Sequence, residues 1–438
     1  WQQRKSVQIQ DIAAPYVDDW TSLQRDTFQI IDFGKNITGF IGISLKSKAA
    51  ATLNLLFDEL LTDGDVDDKR LGCANIVEVN FEAGEYSFET FEPYTFRYLK
   101  VAATNGPLDF GSLFVRELAC PDADKALFDC PDDMLKQIFE AARQTYRQNA
   151  VDIFMDCPSR ERAGWLCDSF WSARTGHLLS GHQKIETAFL ENYALPQSFA
   201  FIPDGMLPMC YPSDHNDGVF IANWALWFVV QLREFKERGG SPKLISALRP
   251  RVEKLFKWFE RYQNDRGLLE KVPSWVFVEW SKANDFVQDV NFPSNMLFAG
   301  ALDAAAELYG NQVWKRKADK LRDVINELSF DGTWYVDNAI RKPNGTLEVT
   351  RNRSETCQYY AFFFNIATPT SRPELWRTLT SEFGPKRDVN KVQPEIHISN
   401  AFIGNYLRIE VLSRAGMITQ ILNESAAYFG YMAERTGT

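Results

Sequence analysis

Residues 131–148 read PDDMLKQIFEAARQTYRQ, and at this stretch the hydrophobic period of the chain changes. Its apolar side chains recur every three or four positions, so they share one face of a helix. That face comprises Leu135, Ile138, Phe139, Ala142 and Tyr146. Asp132 stands where a helix N-cap accepts a backbone N–H. The stretch therefore predicts a helix, and it separates a β-type sequence from a helical one.

The sequence before this helix has the two-residue period of strands. Apolar and polar residues alternate in FIGISLK (40–46), ATLNLLF (51–57) and YTFRYLKVA (94–102). Turn-forming stretches such as DFGKN and TDGD separate these runs. Several short strands at this spacing predict an antiparallel β-sandwich, which we assign to residues 1–118.

The sequence after residue 118 keeps a helical period to its end. Its links are mostly short, which favours antiparallel neighbours, and no sequence repeat indicates a solenoid. Residues 119–438 are therefore predicted to form an all-α toroid of helix hairpins. About eleven helices are expected, at 132–148, 167–180, 184–193, 217–237, 241–259, 295–309, 311–328, 354–366, 371–382, 398–415 and 417–436.

The composition excludes several classes of protein. The 438 residues are 45% apolar and 24% charged, the balance of a globular chain with two or three domains. The net charge is −10 and no Lys/Arg block occurs, which argues against nucleic acid and anionic membrane as partners. No apolar run reaches the ~18 residues of a membrane span. The cysteines and histidines show no metal-ligand spacing, so we expect mostly buried free thiols and no metal. No phosphate-binding glycine loop is found, and no organic cofactor is expected.

Residues 156–168, DCPSRERAGWLCD, crowd acids and bases around Trp165. Pro158 and Gly164 disfavour a continuous helix, so the stretch is predicted to be a loop, with a helix beginning near Leu166. Glycoside hydrolysis requires two carboxyl groups, one protonated to release the leaving oxygen and one ionised to activate water or attack. The loop is therefore a candidate catalytic site.

The charges of this loop constrain its chemistry. A glutamic acid such as Glu161 serves as a proton donor when it is partly desolvated and flanked by other acids. Arginines beside it would oppose that state, so Arg160 and Arg162 are expected to contact Asp156, Asp168 or sugar hydroxyls. The alternative is a buried Arg–carboxylate network that only pins the loop.

Two other stretches carry candidate polar or aromatic side chains. IPDGMLPMCYPSDHNDG (202–218) is loop-like and supplies Asp214 and His215, although capping aspartates in an ordered linker would look the same. VPSWVFVEWSKAND (272–285) places Trp280 near Trp275, with the carboxylates of Glu279 and Asp285 beside them. Stacking indoles and hydroxyl-binding carboxylates are typical of a sugar-binding wall, and a core tryptophan pair is the alternative.

A third stretch, RNRSETCQYY (351–360), gives a weaker signal. Glu355 and Gln358 lie three positions apart and are predicted to share one face of a helix. That spacing is common, so by itself it does not indicate a site.

Four of these stretches together resemble the bacterial α-L-rhamnosidases of glycoside hydrolase family 78: DCPSRERAGWLCD (156–168), FIPDGMLPMCYPSDHNDGVFIANWALWF (201–228), VEWSKAND (278–285) and FIGNYLRIEVL (402–412). DFGKNITGFIGI and FEPYTFRYLKV resemble the β-domain that precedes the catalytic domain of that family. The resemblance covers nearly the whole chain. It implies an (α/α)6 barrel that hydrolyses terminal α-L-rhamnose with inversion at the anomeric carbon.

The resemblance also implies roles for individual residues. Glu161 stands at the position of the family's general acid. Asp156 and Asp168 match its sugar-binding acids, and Trp280, within VEWS, matches its aromatic platform. The expected substrate-binding residues are Asp156, Arg160, Trp165, Asp168, Asp214, His215 and Trp280.

One difference from the family concerns the general base. In the family this is a glutamate in a short Leu-Trp-Glu-like motif after the last barrel helices, whereas this sequence reads YFGYMAERTGT up to Thr438. Glu434 belongs to an Ala-Glu-Arg helical stretch and does not match the motif. We therefore expect a chain truncated at both ends, with a catalytic domain that is incomplete at its C-terminal end and lacks the base.

Two other interpretations are open at this stage. The chain can be another (α/α)6-barrel glycosidase acting on a different sugar, or a non-catalytic glycan-binding protein, because one fold supports many functions. The expected partner is a rhamnose-containing oligosaccharide, polysaccharide or glycoside. A substrate of this class favours a periplasmic or secreted location.

Overall fold

In the computed structural model the described residues are 8–13, 20–213 and 217–438, and they form two compact units. The first unit comprises the described residues up to Ala163, together with Ser172–Ile185 and Phe429–Thr438. The second comprises Gly164–Trp171 and the described part of Glu186–Tyr428. The sequence boundary at 118/119 lies inside the first unit and stays a prediction. Within the described part of the chain, every helix is too short or too polar to span a lipid bilayer.

Ten strands precede the first α-helix among the described residues. They are β1 (Gln8–Ala13), β2 (Thr21–Leu23), β3 (Thr27–Ser47), β4 (Ala51–Asp58), β5 (Leu61–Thr62), β6 (Asp65–Val66), β7 (Ile76–Phe81), β8 (Gly84–Glu89), β9 (Tyr94–Asn105) and β10 (Leu108–Ala119). Eight of them form one antiparallel sheet in the order β1-β10-β3-β9-β4-β7, with β2 paired to β10 and β8 paired to β3. β5 and β6 form a separate hairpin.

The 21-residue strand β3 connects the two halves of this sheet. Its first half pairs with β9, and its second half lies between β8 and β10. The sheet thus folds over one core, to which β3, β4, β9 and β10 contribute side chains such as Ile31, Ile43, Leu55, Leu99 and Val115. The predicted antiparallel sandwich is confirmed, because the apolar residues that alternate in the sequence are those that face this core.

The helix predicted at the change of period forms α1 (Asp133–Asn149), and Asp132 caps it by accepting from Leu135 N at 3.1 Å. Of the five apolar residues predicted to share one face, Tyr146 is buried and Leu135, Ile138 and Phe139 are partly buried. Ala142 is exposed, whereas Gln144 and Gln148 are buried. The helix therefore turns a partly polar face towards the sheet.

A backbone group of β3 explains why amides are buried there. Gln144 Nε2 and Gln148 Nε2 both donate to the carbonyl of Asn36, at 2.9 and 2.6 Å. Asn36 lies where the pairing of β3 with β9 is interrupted between Asp32 and Ile37. A buried carbonyl that the ladder does not reach requires another donor, and α1 supplies two.

Twelve α-helices lie in the described residues. After α1 they are α2 (Leu166–Ser180), α3 (Lys184–Ala194), α4 (Ala222–Glu237), α5 (Pro242–Phe259), α6 (Phe292–Tyr309), α7 (Gln312–Ser329), α8 (Glu355–Phe363), α9 (Pro373–Ser381), α10 (Arg387–Asn390), α11 (Tyr406–Arg414) and α12 (Ile418–Thr436). Three short strands, β11 (Val290–Asn291), β12 (Asn338–Arg341) and β13 (Leu347–Val349), form a small antiparallel sheet among them.

The helices of the second unit alternate between two burial patterns. α4, α6 and α8 are buried on nearly every face, which places them in the interior. α5, α7 and α9 bury one stripe and expose the rest. This alternation of inner and outer helices is that of stacked helix hairpins, so the predicted β-sandwich followed by an all-α hairpin fold is confirmed.

Several details differ from the prediction. The helix predicted at 398–415 begins only at Tyr406, because Phe402 and Ile403 just before it have non-helical backbone angles. The sequence did not indicate α10 or the small sheet, whose elements have two to four residues. It also began α4 at 217 rather than 222. Phe220 and Ile221 stay outside the helix because Phe220 N donates to Ser274 Oγ at 3.0 Å and Phe220 O accepts from Trp275 N at 3.1 Å.

Candidate active site

The acid loop, residues 156–163, is held at both ends within the first unit. Asp156 N donates to Ala163 O at 3.1 Å, and Ala163 N donates to Asp156 Oδ1 at 3.2 Å. The hydroxyl of Thr95, in β9, donates to Pro158 O at 2.9 Å. The prediction of a loop followed by a helix at Leu166 is confirmed.

Glu161 lies on this loop with its neighbour Arg160. The two side chains form an ion pair and are 31% and 50% exposed. The hydrogen bond to Glu161 raises the pKa of Arg160. The arginine contacts therefore differ from the expectation, because the guanidinium of Arg160 binds the predicted acid rather than Asp156.

Arg162 and Asp156 have structural partners of their own. Arg162 donates to Pro93 O at 3.1 Å, and its Nη2 lies 3.4 Å from Glu92 Oε2, so it fastens the loop to the segment before β9. Burial raises the pKa of Asp156, against opposing hydrogen bonds from Cys157 and Ala163. Asp156, Arg160 and Glu161 are thus brought together in the first unit.

Trp165 and Asp168 belong to the second unit. Two backbone bonds, of 2.9 and 3.2 Å, join the neighbours of Trp165 to residues 209–211, and Trp165 pairs with Cys210 as an isolated antiparallel bridge. This pairing fixes the chain just before the first turn of α2, which contains Asp168. The carboxylate of Asp168 acts on Tyr406 of α11, whose pKa is raised first by burial and then by this charge.

Trp280 also lies in the second unit, with 60% of its surface exposed. Its ring packs edge-on against Phe277 at 4.7 Å and Trp275 at 6.0 Å between centroids. An exposed indole on a rigid aromatic support has the geometry that ring stacking on a sugar requires.

Two carboxyl groups of the second unit are sealed from solvent. Glu279, which is 0% exposed, accepts from Ser281 Oγ at 2.6 Å, from Thr356 Oγ1 at 2.5 Å and from Gly404 N at 2.6 Å. Burial raises the pKa of Glu279 to about 7. The expectation that this carboxylate binds sugar hydroxyls is wrong, because its oxygens are occupied by protein donors.

The second of these groups is Asp337. It accepts from Ser354 N and from Ser354 Oγ, both at 2.6 Å. Burial raises the pKa of Asp337 to about 7, and the charge of Glu279 acts in the same direction. The sequence does not predict the burial of either carboxyl group. Only the position of Glu279 beside Trp280 associates it with the candidate site.

Glu355 and Gln358 do share α8, as predicted, but both make structural contacts. Glu355 accepts from Arg387 Nη2 at 3.0 Å and from Ser399 N at 3.2 Å. Gln358 accepts from Tyr335 N at 2.9 Å and donates to Tyr335 O at 2.8 Å. They hold the chain around α8 and present no open polar surface.

The predicted site residues Asp214 and His215 lie outside the described residues. A cavity of about 570 Å³ opens in the first unit at the ends of β4, β7, β8 and β9, and Thr52, Phe81, Tyr86 and Asn105 are among its lining residues. No predicted site residue among those described lines it.

All seven cysteines are free, as expected. In the described ranges no cluster of three His, Cys, Asp or Glu side chains could hold a metal ion.

Two family models match the chain. Residues 123–438 match the bacterial α-L-rhamnosidase six-hairpin glycosidase domain, and residues 23–115 match the bacterial α-L-rhamnosidase concanavalin-like domain. The first match covers most of the chain and includes the acid loop, Asp168 and Trp280.

Curated relatives give the same picture at low identity. An α-L-rhamnosidase of Alteromonas sp. (strain LOR) is 22% identical over 421 residues, which are 90% of this chain and 42% of that protein. An α-L-rhamnosidase of Formosa agariphila is 28% identical over 149 residues, 32% of this chain and 16% of that protein. The chain therefore spans less than half the length of these relatives.

Solved structures share the fold. A rhamnosidase from Klebsiella oxytoca with rhamnose bound superposes with a TM-score of 0.81 at 17% identity, over 99% of this chain and 88% of that one. A family GH78 rhamnosidase of Bacillus sp. GL1 gives 0.80 at 21% identity, over 97% of this chain and 43% of that one.

Proposed function

The chain belongs to the family of bacterial α-L-rhamnosidase six-hairpin glycosidases, and from this membership we propose that it hydrolyses terminal α-L-rhamnose from oligosaccharides, polysaccharides or glycosides. The observation that carries the proposal is the family match over residues 123–438, which contains every predicted site residue from Asp156 to Trp280.

We propose Glu161 as the general acid. In the inverting reaction it gives its proton to the glycosidic oxygen as the bond to the anomeric carbon breaks, and water attacks that carbon from the opposite face. A base carboxylate takes a proton from this water, and we assign no residue of this chain to that role. The partial exposure of Glu161 on its loop supports contact with a substrate oxygen.

The ion pair with Arg160 bears on this step. The guanidinium of Arg160 occupies a carboxylate oxygen of Glu161, so Glu161 can reach a glycosidic oxygen with that atom only after the pair opens. Arg160 is half exposed and can turn towards the substrate, where its N–H groups would bind sugar hydroxyls. We therefore propose that substrate binding exchanges the Arg160–Glu161 contact for an Arg160–sugar contact.

The remaining proposed residues bind the sugar. The carboxylates of Asp156 and Asp168 would accept from ring hydroxyls, and the indoles of Trp165 and Trp280 would stack on apolar faces. Asp214 and His215 are proposed pocket residues from the resemblance alone.

The test is a panel of aryl glycosides assayed with the chain and with a longer form of the protein, if one exists. We expect turnover of the α-L-rhamnoside, and ¹H NMR of the first product should show the anomer opposite to that of the substrate. Turnover of another sugar with none of rhamnoside would favour a different glycosidase. Tight rhamnose binding without turnover in every form would favour a glycan-binding protein.

A further inference from the structure

A strained backbone turn in the second unit lies between two proposed sugar contacts, Asp168 and Trp280. Residues Ala401–Asn405 form one wide helical turn just before α11, and Ile403 within it has φ 72° and ψ −69°. A branched residue in the positive-φ region costs about 1–3 kcal/mol, and such strain persists only where the surroundings fix the backbone. The contacts that fix this turn therefore indicate what it is for.

Glu279 holds the turn at its centre. Its Oε1 accepts from Gly404 N at 2.6 Å, while its Oε2 accepts from the hydroxyls of Ser281 and Thr356. Gly404 has no room for a side chain, because a Cβ there would lie on Glu279 Oε1 and on Ser399 Cβ. The close approach of carboxylate and backbone thus depends on glycine at this position.

One end of the turn leads to Asp168. Tyr406, the first residue of α11, stacks its ring on Trp171 at 4.8 Å between centroids and 14° between planes. Trp171 lies three residues after Asp168 on α2, and the charge of Asp168 acts on Tyr406. A shift of the turn would therefore move the aromatic pair beside Asp168.

The other end of the turn leads to Trp280. Asn400 Nδ2 donates to the carbonyl of Trp280 at 2.6 Å. Phe402 packs against Trp224 at 6.2 Å, and Trp224 packs against Phe277, which supports the Trp280 ring. Glu279 itself is the chain neighbour of Trp280.

From these contacts we propose that Glu279 is a positioning residue: by holding Gly404, its carboxylate sets the spacing between the Trp280 indole and the Tyr406–Asp168 side of the sugar site. This inference rests on the proposed function, because Trp280 and Asp168 are proposed sugar contacts. It assigns no proton transfer to Glu279, which no substrate atom can reach through its three protein donors.

The donors around Glu279 predict which replacement preserves the spacing. The hydroxyls of Ser281 and Thr356 can either donate or accept, whereas the backbone N–H of Gly404 can only donate. A glutamine at 279 can keep its oxygen on Gly404 and give its amide N–H groups to the two hydroxyls. Alanine at 279 leaves all three donors without this acceptor.

The experiment is calorimetric titration of the full chain with L-rhamnose. We expect Glu279→Ala to raise the Kd about 10-fold, which corresponds to about 1.4 kcal/mol of binding free energy, as the Trp280 indole and the Tyr406–Asp168 side lose their spacing. Glu279→Gln should stay within about 2-fold of the unchanged chain, since it restores the contact to Gly404. Trp280→Ala should weaken binding and serves as the reference for the platform.

A second buried carboxylate provides the control for a purely structural effect. Asp337→Ala removes a group of similar burial that contacts Ser354 and not the 401–405 turn, so it should lower Tm and leave the Kd unchanged. If Glu279→Ala does not fold, Gly404→Ala displaces the same contact from the opposite side and should raise the Kd by a similar factor.

The outcomes separate the two proposals. Weakened binding in Trp280→Ala with an unchanged Kd in Glu279→Ala would overturn the positioning role and leave the proposed function intact. An equal rise of the Kd in Glu279→Ala and Asp337→Ala would also overturn it, since the effect would then be one of general stability. Absence of rhamnose binding by the unchanged chain, or no effect of Trp280→Ala, would count against the proposed sugar site itself.

Discussion

Glu161 and Glu279 are glutamates of one chain in opposite surroundings. Glu161 stands on a loop of the first unit, 31% exposed and paired with a guanidinium. Glu279 is 0% exposed in the second unit, and two hydroxyls and a backbone N–H, none of them charged, occupy its oxygens. Burial raises the pKa of Glu279 to about 7, as it does that of Asp337, whereas Glu161 is the proposed acid because of its position in the sequence motif. The difference teaches that a perturbed carboxyl can serve architecture as well as proton transfer.

The largest effect is expected from replacement of Glu161, the proposed acid. In a form of the protein that turns over rhamnosides, Glu161→Gln should lower kcat/KM for poor leaving groups by roughly 10²–10⁴-fold, the usual contribution of general acid catalysis. Activated aryl rhamnosides, which need less protonation, should lose much less.

Glu85→Gln is the matched control for this substitution. Glu85 is an exposed glutamate of β8 outside the acid loop and its supports, and its change should leave turnover near that of the unchanged protein. Normal rates for Glu161→Gln on poor leaving groups would remove Glu161 from the role of acid.

The second test concerns the buried glutamate, Glu279, and the pH dependence of the free energy of unfolding. Burial raises the pKa of Glu279 from 4.5 and that of Asp337 from 3.8, each to about 7. Between about pH 4 and 7 the folded state therefore keeps protons on these two carboxyl groups that the unfolded state has released. The stabilisation that these protons give is complete below about pH 4 and is lost as pH rises through about 7. For Glu279 alone it is on the order of 3 kcal/mol.

Thermal melts between pH 5 and 8 measure this effect. Tm should fall as pH rises across this window, and Glu279→Gln should flatten the fall because glutamine does not titrate. A Tm that rises over the same window, or an equally steep fall in Glu279→Gln, would contradict the assignment of the proton to Glu279.

The third test asks whether the charged groups of the acid loop contact sugar. Asp156→Asn keeps an oxygen for Ala163 N but removes the charge, and hydrogen bonds to a charged group contribute ~1.5–3 kcal/mol. We expect the Kd for L-rhamnose to rise about 10-fold or more by calorimetry. Asp152→Asn, at an exposed aspartate four positions earlier, should change nothing; an unchanged Kd in both would exclude Asp156 from the sugar site.

The smallest expected effect concerns the support of the acid loop. Thr95→Val removes the hydroxyl that donates to Pro158 O and that lies 2.8 Å from Thr38 Oγ1. Loss of one such hydrogen bond costs about 1 kcal/mol, so Tm should fall slightly and kcat/KM by a few-fold as Glu161 becomes less well placed.

Thr52→Val separates stability from placement in this last test. Its hydroxyl bonds Asn80 Oδ1 in the same unit and does not contact the loop, so it should lower Tm without a change in kcat/KM. If both variants behave alike, the strand contact does not position the acid.

The sequence predicted the elements whose signal is periodic. Alternation indicated the strands, and the spacing of apolar residues with Asp132 as cap indicated α1 almost to the residue. It could not predict that Gln144 and Gln148 face the sheet, because the irregularity of β3 that requires them is more than a hundred positions away. α10 was missed since four residues carry no usable period.

The candidate site was predictable only where a motif is continuous. Glu161, Trp165 and Asp168 fall within thirteen residues, and the resemblance identifies them together. The contact of Glu279 with Thr356 and Gly404 joins three distant segments and depends on the fold for its existence. Arg160 pairs with Glu161 rather than with another acid of the loop. The sequence does not indicate which of these neighbouring acids it contacts.

The pairing of β1 with β10 has a consequence for synthesis of the chain. β1 begins at Gln8 and its partner β10 ends at Ala119. During synthesis β1 therefore cannot complete its pairing until more than a hundred further residues have been added. At ~5–20 residues per second this delay is roughly 5–20 s, during which the ribosome-bound chain exposes an unsatisfied strand edge. Consecutive helices such as α6 and α7 instead pack together within a few tens of residues, so a holdase chaperone would matter most for the early, β-rich part of translation.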